Sequence, residues 1–141
     1  MSLIKWQISK KNFMENSLMS RFNHLDKDIN LYLKKNTEKH LHKVRIDLRR
    51  LRFTLEVFSI YFKKEICYYK FYNVISKLQN TTGGARDLDV MKEYCNKNNI
   101  NIDVEKDKVK LNLKAKEKLI KFIKSKCYNK FEKLIAQKKR M

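Results

Sequence analysis

"VRIDLRRLRFTLEVFSIYF", residues 44 to 62, is a helix written in its spacing. Val44, Leu48, Leu51, Leu55, Phe58 and Phe62 recur every three or four positions. At about 100° per residue they share one face, the mark of an amphipathic helix with a buried side. Upstream, "KKNTEKH" reads as a turn, with Thr37 as the N-cap of this second helix. Before it, Met14, Leu18, Phe22, Leu25, Ile29 and Leu33 make a first stripe on a helix from about 10 to 35. Downstream, Cys67, Phe71, Val74, Leu78, Thr81, Ala85 and Leu88 mark a third helix, roughly 65 to 96. After the Asn-rich loop "NKNNINI", Val109, Leu113, Ile120, Ile123, Cys127, Phe131 and Leu134 mark a fourth, about 104 to 138.

Four amphipathic helices joined by short loops predict an all-α fold, an antiparallel four-helix bundle with long helices. The chain has 141 residues, no proline and only two glycines, Gly83 and Gly84, so nothing interrupts long helices and residues 1–141 read as one domain. The third stripe crosses the glycine pair without losing phase. The helix therefore runs through it despite ~1 kcal/mol lost per glycine, which predicts a close approach that a Cβ would obstruct. No stretch approaches the ~18 apolar residues of a membrane span, and "MSLIKWQISKK" lacks a signal-peptide core. Cys67, Cys95 and Cys127 are odd in number and lack CxxC spacing, which predicts core thiols in a reducing cytoplasm.

Lys and Arg number 34 against 15 Asp and Glu, a formal net charge of +19. The acids cannot neutralise half of the bases, so the excess predicts a polyanionic partner: nucleic acid, an inorganic polyanion or an anionic membrane. On the second helix His42, Arg45, Arg49 and Arg52 fall within an arc of about 80°, spanning roughly 15 Å, beside the apolar stripe. Guanidinium groups are permanently charged and bidentate towards phosphate, so this row suits an anion lying along the helix. In that row His42 reads as a phosphate donor. No nucleophile stands at a spacing that would make it a general base, and His24 and His40 lack metal-ligand spacing with it. Lys106, Lys110, Lys114, Lys118 and Lys121 form a second row on the fourth helix, and the two rows predict a groove for a linear polyanion.

"GGARDLDV", residues 83 to 90, is the other dense motif. Arg86 is a candidate for the anion site. Asp87 and Asp89 point about 200° apart on a continuous helix, which is poor geometry for a shared metal. Both read as site-orienting residues, Asp87 by a bidentate pair that fixes an arginine before ligand arrives.

These two motifs together resemble the CHAD family, a histidine-bearing α-helical domain. The family pattern of His, Arg three residues on, then Arg-Arg-Leu-Arg is met by His42, Arg45, Arg49, Arg50, Leu51 and Arg52. Its second signature, Leu-Gly followed by Arg-Asp-x-Asp-Val, is similar to Gly83, Arg86, Asp87, Asp89 and Val90, with Thr82 in the place of Leu. The likeness covers about 40 to 135. It implies a non-enzymatic module that binds inorganic polyphosphate, needs no cofactor and can associate with polyphosphate granules. By the resemblance His42, Arg45, Arg49, Arg50, Arg52 and Arg86 are binding residues, and the lysine row adds Lys110, Lys114 and Lys121. Family members usually contain two four-helix bundles, and this chain has room for one.

An RNA- or DNA-binding helical protein is the alternative that net charge alone allows. Against it, the aromatic residues mostly fall at core spacing, leaving little sign of a stacking platform for bases. A phosphohydrolase would need an acidic metal cluster or a glycine-rich phosphate loop. The second helix also has Ile46, Phe53, Val57 and Ile60 within an arc of about 60° on another side. That face predicts either further burial inside the bundle or a homodimer in which two single bundles pair.

Overall fold

The computed structural model of the chain describes residues 3–140, the side chains at 4, 6–9, 11, 85–86, 126–127 and 136–140 excepted. Five α-helices follow one another: α1 (Leu3–Lys35), α2 (Glu38–Val57), α3 (Ile66–Lys97), α4 (Glu105–Ile123) and α5 (Lys126–Arg140). A 3-10 turn, Ser59–Phe62, links α2 to α3. No strand occurs among the described residues, and no helix there is long and apolar enough to cross a membrane. The fold is all-α.

The helix ends follow local chemistry. Thr37 caps α2, its Oγ1 accepting the backbone N–H of His40 at 3.3 Å. At the end of α3, Asn99 takes a left-handed φ of 55° and the Ile100 N–H reaches back to the Cys95 carbonyl at 2.8 Å. This closure satisfies a carbonyl that the last helical turn leaves free. α3 does run through Gly83 and Gly84. A Cβ on either would stand 3.9 Å from its nearest neighbour, an ordinary contact, so the predicted obstruction is absent.

The expected fourth helix is the main correction: it is two helices. On α4 the inward residues are Leu111, Ala115, Leu119 and Phe122, within an arc of about 80°. Phe131, Leu134 and Ile135 on α5 are also buried. On one straight helix they would lie about 120 to 220° from Phe122, so a single rod could not bury both sets. Ser125 resets the phase: its hydroxyl donates to the Phe122 carbonyl at 2.7 Å and accepts the Tyr128 N–H at 3.3 Å. In consequence Val109, Leu113 and Ile120, expected in the core, are exposed. Cys127 lies outside the described side chains.

Elsewhere the stripes of α1 and α2 are buried as expected, with only Leu33 and Phe58 at the margin. On α3 Phe71 and Leu78 are core, but the inward face centres on Tyr68, Ile75 and Thr82, leaving Cys67, Val74, Thr81 and Leu88 half-buried. Cys95 is buried. α1 packs against α2 and α5, while α3 packs against α2, α4 and α5. These surfaces meet in an aromatic cluster where Phe71 stacks on Phe131 at 3.7 Å and Phe22 lies against Tyr128 at 4.6 Å. Tyr128 also donates to Asp26 at 2.6 Å, and the Tyr68 hydroxyl donates to the Leu55 carbonyl in the last turn of α2. The second apolar side of α2 is not buried inside the chain: Phe53, Val57 and Ile60 are exposed and Ile46 is half-buried.

Candidate functional site

The position of α2 against α3 decides where its arginines go. Arg45 and Arg52 both turn towards α3. Arg45 Nη2 is 3.7 Å from Asp87 Oδ1, and its guanidinium lies over Gly83. Arg52 is held more firmly. Its Nε donates to the Tyr72 hydroxyl and its Nη1 to Gln79 Oε1, each at 3.2 Å. Glu56, one turn along, stands 3.4 Å from Arg52 Nε, and the guanidinium sits 5.7 Å from the Tyr72 ring centroid. Such contacts fix a side chain that would otherwise sample many rotamers, so less freedom is lost when a phosphate arrives. His42 and Arg49 are exposed on the same flank of α2. Arg50 is exposed on the other flank, and with Arg21 of α1, Arg49, Phe53 and Thr54 it lines a pocket of about 280 Å³.

The two aspartates separate as helical geometry requires. The Asp87 side chain is 73% exposed and beside Arg45, whereas that of Asp89 is 2% exposed. Asp89, expected beside the arginines, instead pairs with Lys108 of α4 at 3.0 Å. Lys108 also donates to Glu38 at the start of α2. That hydrogen bond holds the Glu38 carboxyl below the usual carboxylate range and the Lys108 ammonium above its ordinary value. Asp89 therefore fastens α4 to α3 and α2. The side chain of Arg86 lies outside the described residues.

On α4, Lys106, Lys110, Lys114, Lys118 and Lys121 are all exposed. Three of them, Lys114, Lys118 and Lys121, converge with Lys77 of α3 on a groove of about 510 Å³. The arginine groove uses Tyr72, Gln79 and Gly83 of α3, and the lysine groove uses Val74, Lys77 and Thr81. On the helical wheel these sets lie roughly opposite one another. The two basic rows thus flank α3 rather than face each other across one cleft, which corrects the single groove expected.

A family model, the CHAD domain, matches residues 13–138, nearly the whole chain. The chain belongs to the CHAD family. No curated protein and no solved structure matches it. CHAD domains are known as a polyphosphate-binding family and are binding domains rather than typical enzymes.

Three basic residues of this CHAD chain escaped the sequence reading. Lys77 precedes Thr81 by one turn, so the phase of the third stripe already placed it on the flank facing α4. Lys108 sits out of step with the predicted lysine row, and only the burial of its partner Asp89 reveals it. Arg21 lies on α1, whose basic residues belonged to no motif.

Proposed function

We propose that this chain binds inorganic polyphosphate without hydrolysing it, through the basic rows on either side of α3. The observation that carries the reading is the pair Arg45 and Arg52, positioned against α3 by Asp87, Tyr72 and Gln79. The Arg45–Asp87 contact is long and exposed, and pairs of that kind contribute at most about 1 kcal/mol. It orients the guanidinium and yields readily to a phosphate. His42 and Arg49 extend this row, Arg50 adds charge from the other flank, and Arg86 is assigned to the site by the family motif alone. Lys110, Lys114 and Lys121, with Lys77 and Lys118, form the second row. A polyphosphate long enough to cross the exposed ridge of α3 at Asn73 and Asn80 engages both rows.

Competition at fixed salt tests this reading, since all polyanion binding weakens as salt rises. RNA of matched charge is expected to displace polyphosphate poorly, and the polyphosphate recovered is expected to keep its length with or without magnesium. RNA binding that is equal or tighter and depends on base identity would overturn the ligand assignment. Magnesium-dependent shortening lost in Asp87→Asn would overturn the non-enzymatic assignment.

The exposed Phe53, Val57 and Ile60 favour a second element of the reading, a homodimer that covers this side of α2. Two copies each carrying +19 repel, so association is expected to need polyphosphate to neutralise them. Sedimentation at micromolar protein should show a dimer with polyphosphate and a monomer without it. A monomer in both conditions removes the dimer from the function.

A further inference from the structure

We propose that the groove between α1 and α2 is a site for a nucleoside polyphosphate, with the phosphates on Arg21 and on the Arg49 and Arg50 that it shares with the proposed polyphosphate surface, and the base on Phe53. The proposal begins with charge. Arg21, Arg49 and Arg50 line one small pocket, and none makes an ion pair within 4.0 Å among the described residues. Asp47, buried below them, is the acid that feels Arg50 and Arg21. Asp47 and the Asp28 that faces it cannot neutralise three guanidiniums, and guanidinium groups present paired donors that match phosphate oxygens.

The second observation is aromatic. Phe53, from the second apolar side of α2, lines the same pocket and is 66% exposed. Arg21, Phe53 and Thr54 also line an adjoining groove of about 550 Å³, so the two cavities share a wall. Beyond Phe53 that groove is lined by Phe13, 67% exposed, Asn16, Ser17 and Ser20 along one face of α1 and by Val57 and Phe58 at the end of α2. An inorganic polyanion has no use for an exposed ring or for a row of amide and hydroxyl groups. A ligand with phosphates at one end and a flat heterocycle at the other uses all of them. Rings of this type stack on bases irrespective of sequence, and the arginines add cation–π attraction to the base face. The volume falls within the range of small-ligand sites.

Titration of the full chain with adenosine triphosphate and with inorganic tripolyphosphate, at equal salt, tests the assignment. It is run below the concentration at which sedimentation detects association, so that Phe53 stays uncovered. Adenosine triphosphate is expected to bind about tenfold tighter, the effect of one base stacked on one ring. Phe53→Ser, a change at an exposed position, should abolish that preference while leaving tripolyphosphate binding by the monomer intact. Phe53→Trp should keep the preference and show fluorescence quenched by adenosine triphosphate but not by tripolyphosphate. Arg45→Gln, in the other groove, should leave the preference unchanged, so failure of the polyphosphate reading and failure of this one are separable. Equal affinity for the two ligands, or a preference that survives Phe53→Ser, would overturn the proposal.

Discussion

Replacing Arg45, Arg49 and Arg52 together by Gln is expected to lower polyphosphate affinity on the order of a hundredfold while the chain stays helical. Each substitution removes a permanent charge and a forked donor, and three lost charge-assisted contacts amount to at least that factor. The slope of binding against salt should become shallower, because fewer counterions are released from the ligand. Gln keeps nearly the helix propensity of Arg, so α2 itself is not weakened. Relief of like-charge repulsion within α2 argues for a higher melting temperature without ligand. The contacts of Arg52 reverse that expectation for the triple variant, since Tyr72 and Gln79 lose the side chain that ties α2 to α3. Arg49→Gln alone, at an exposed residue with no ion pair among the described residues, should leave stability unchanged or slightly raised. Circular dichroism, thermal melts and binding isotherms read these together. A triple variant that unfolds marks the arginines as structural, and a folded one with undiminished affinity removes them from the site.

A second large effect belongs to the buried carboxyl of Asp47. Burial raises its pKa first, and the facing Asp28 of α1 raises it further. Arg50 on its own helix and Arg21 on α1 oppose the shift, and the balance pushes Asp47 up to about 7. The folded state then holds a proton that the unfolded chain releases near pH 4, so between those values folding is accompanied by proton uptake. Stability from this group is complete below about pH 4 and is lost as pH rises through about 7. Asp47→Asn removes the ionisation and still offers Asp28 a donor. It is expected to raise stability on the order of 2–4 kcal/mol at pH 8 and to change little at pH 4. Thermal melts of both proteins from pH 4 to 8 measure it. Parallel profiles would show that Asp47 is not the titrating group.

How much was legible in the sequence differs between helices for a physical reason. α1 and α2 each carry one dominant stripe on their buried side, so spacing alone located the core at Leu18, Phe22, Leu48 and Leu55. α4 carries two. Val109, Leu113 and Ile120 continue the phase of α5, whereas Leu111, Ala115, Leu119 and Phe122 obey the packing against α3. Only tertiary contact chooses between them, and Ser125 is a weaker signal of a break than glycine or proline. At the basic face, residue type was readable, because guanidinium chemistry does not depend on context. Which neighbour each arginine meets was not readable, since Gln79 and Tyr72 approach Arg52 only once α3 is docked. Asp89 shows the same limit: its sequence motif sets it beside Arg86 and Asp87, and the fold turns it to Lys108.

The stretch of α5 between Tyr128 and Phe131 also constrains how a gene for this protein can change length. One extra residue there would turn the rest of α5 by about 100° and carry Phe131 and Ile135 off the aromatic cluster. Two would turn it about 200°, close to the worst case. Insertions of three or four residues restore the angle to within about 60° and 40°, at the cost of sliding α5 by about one helical turn. Length changes within this helical stretch therefore come in whole turns or are removed by selection.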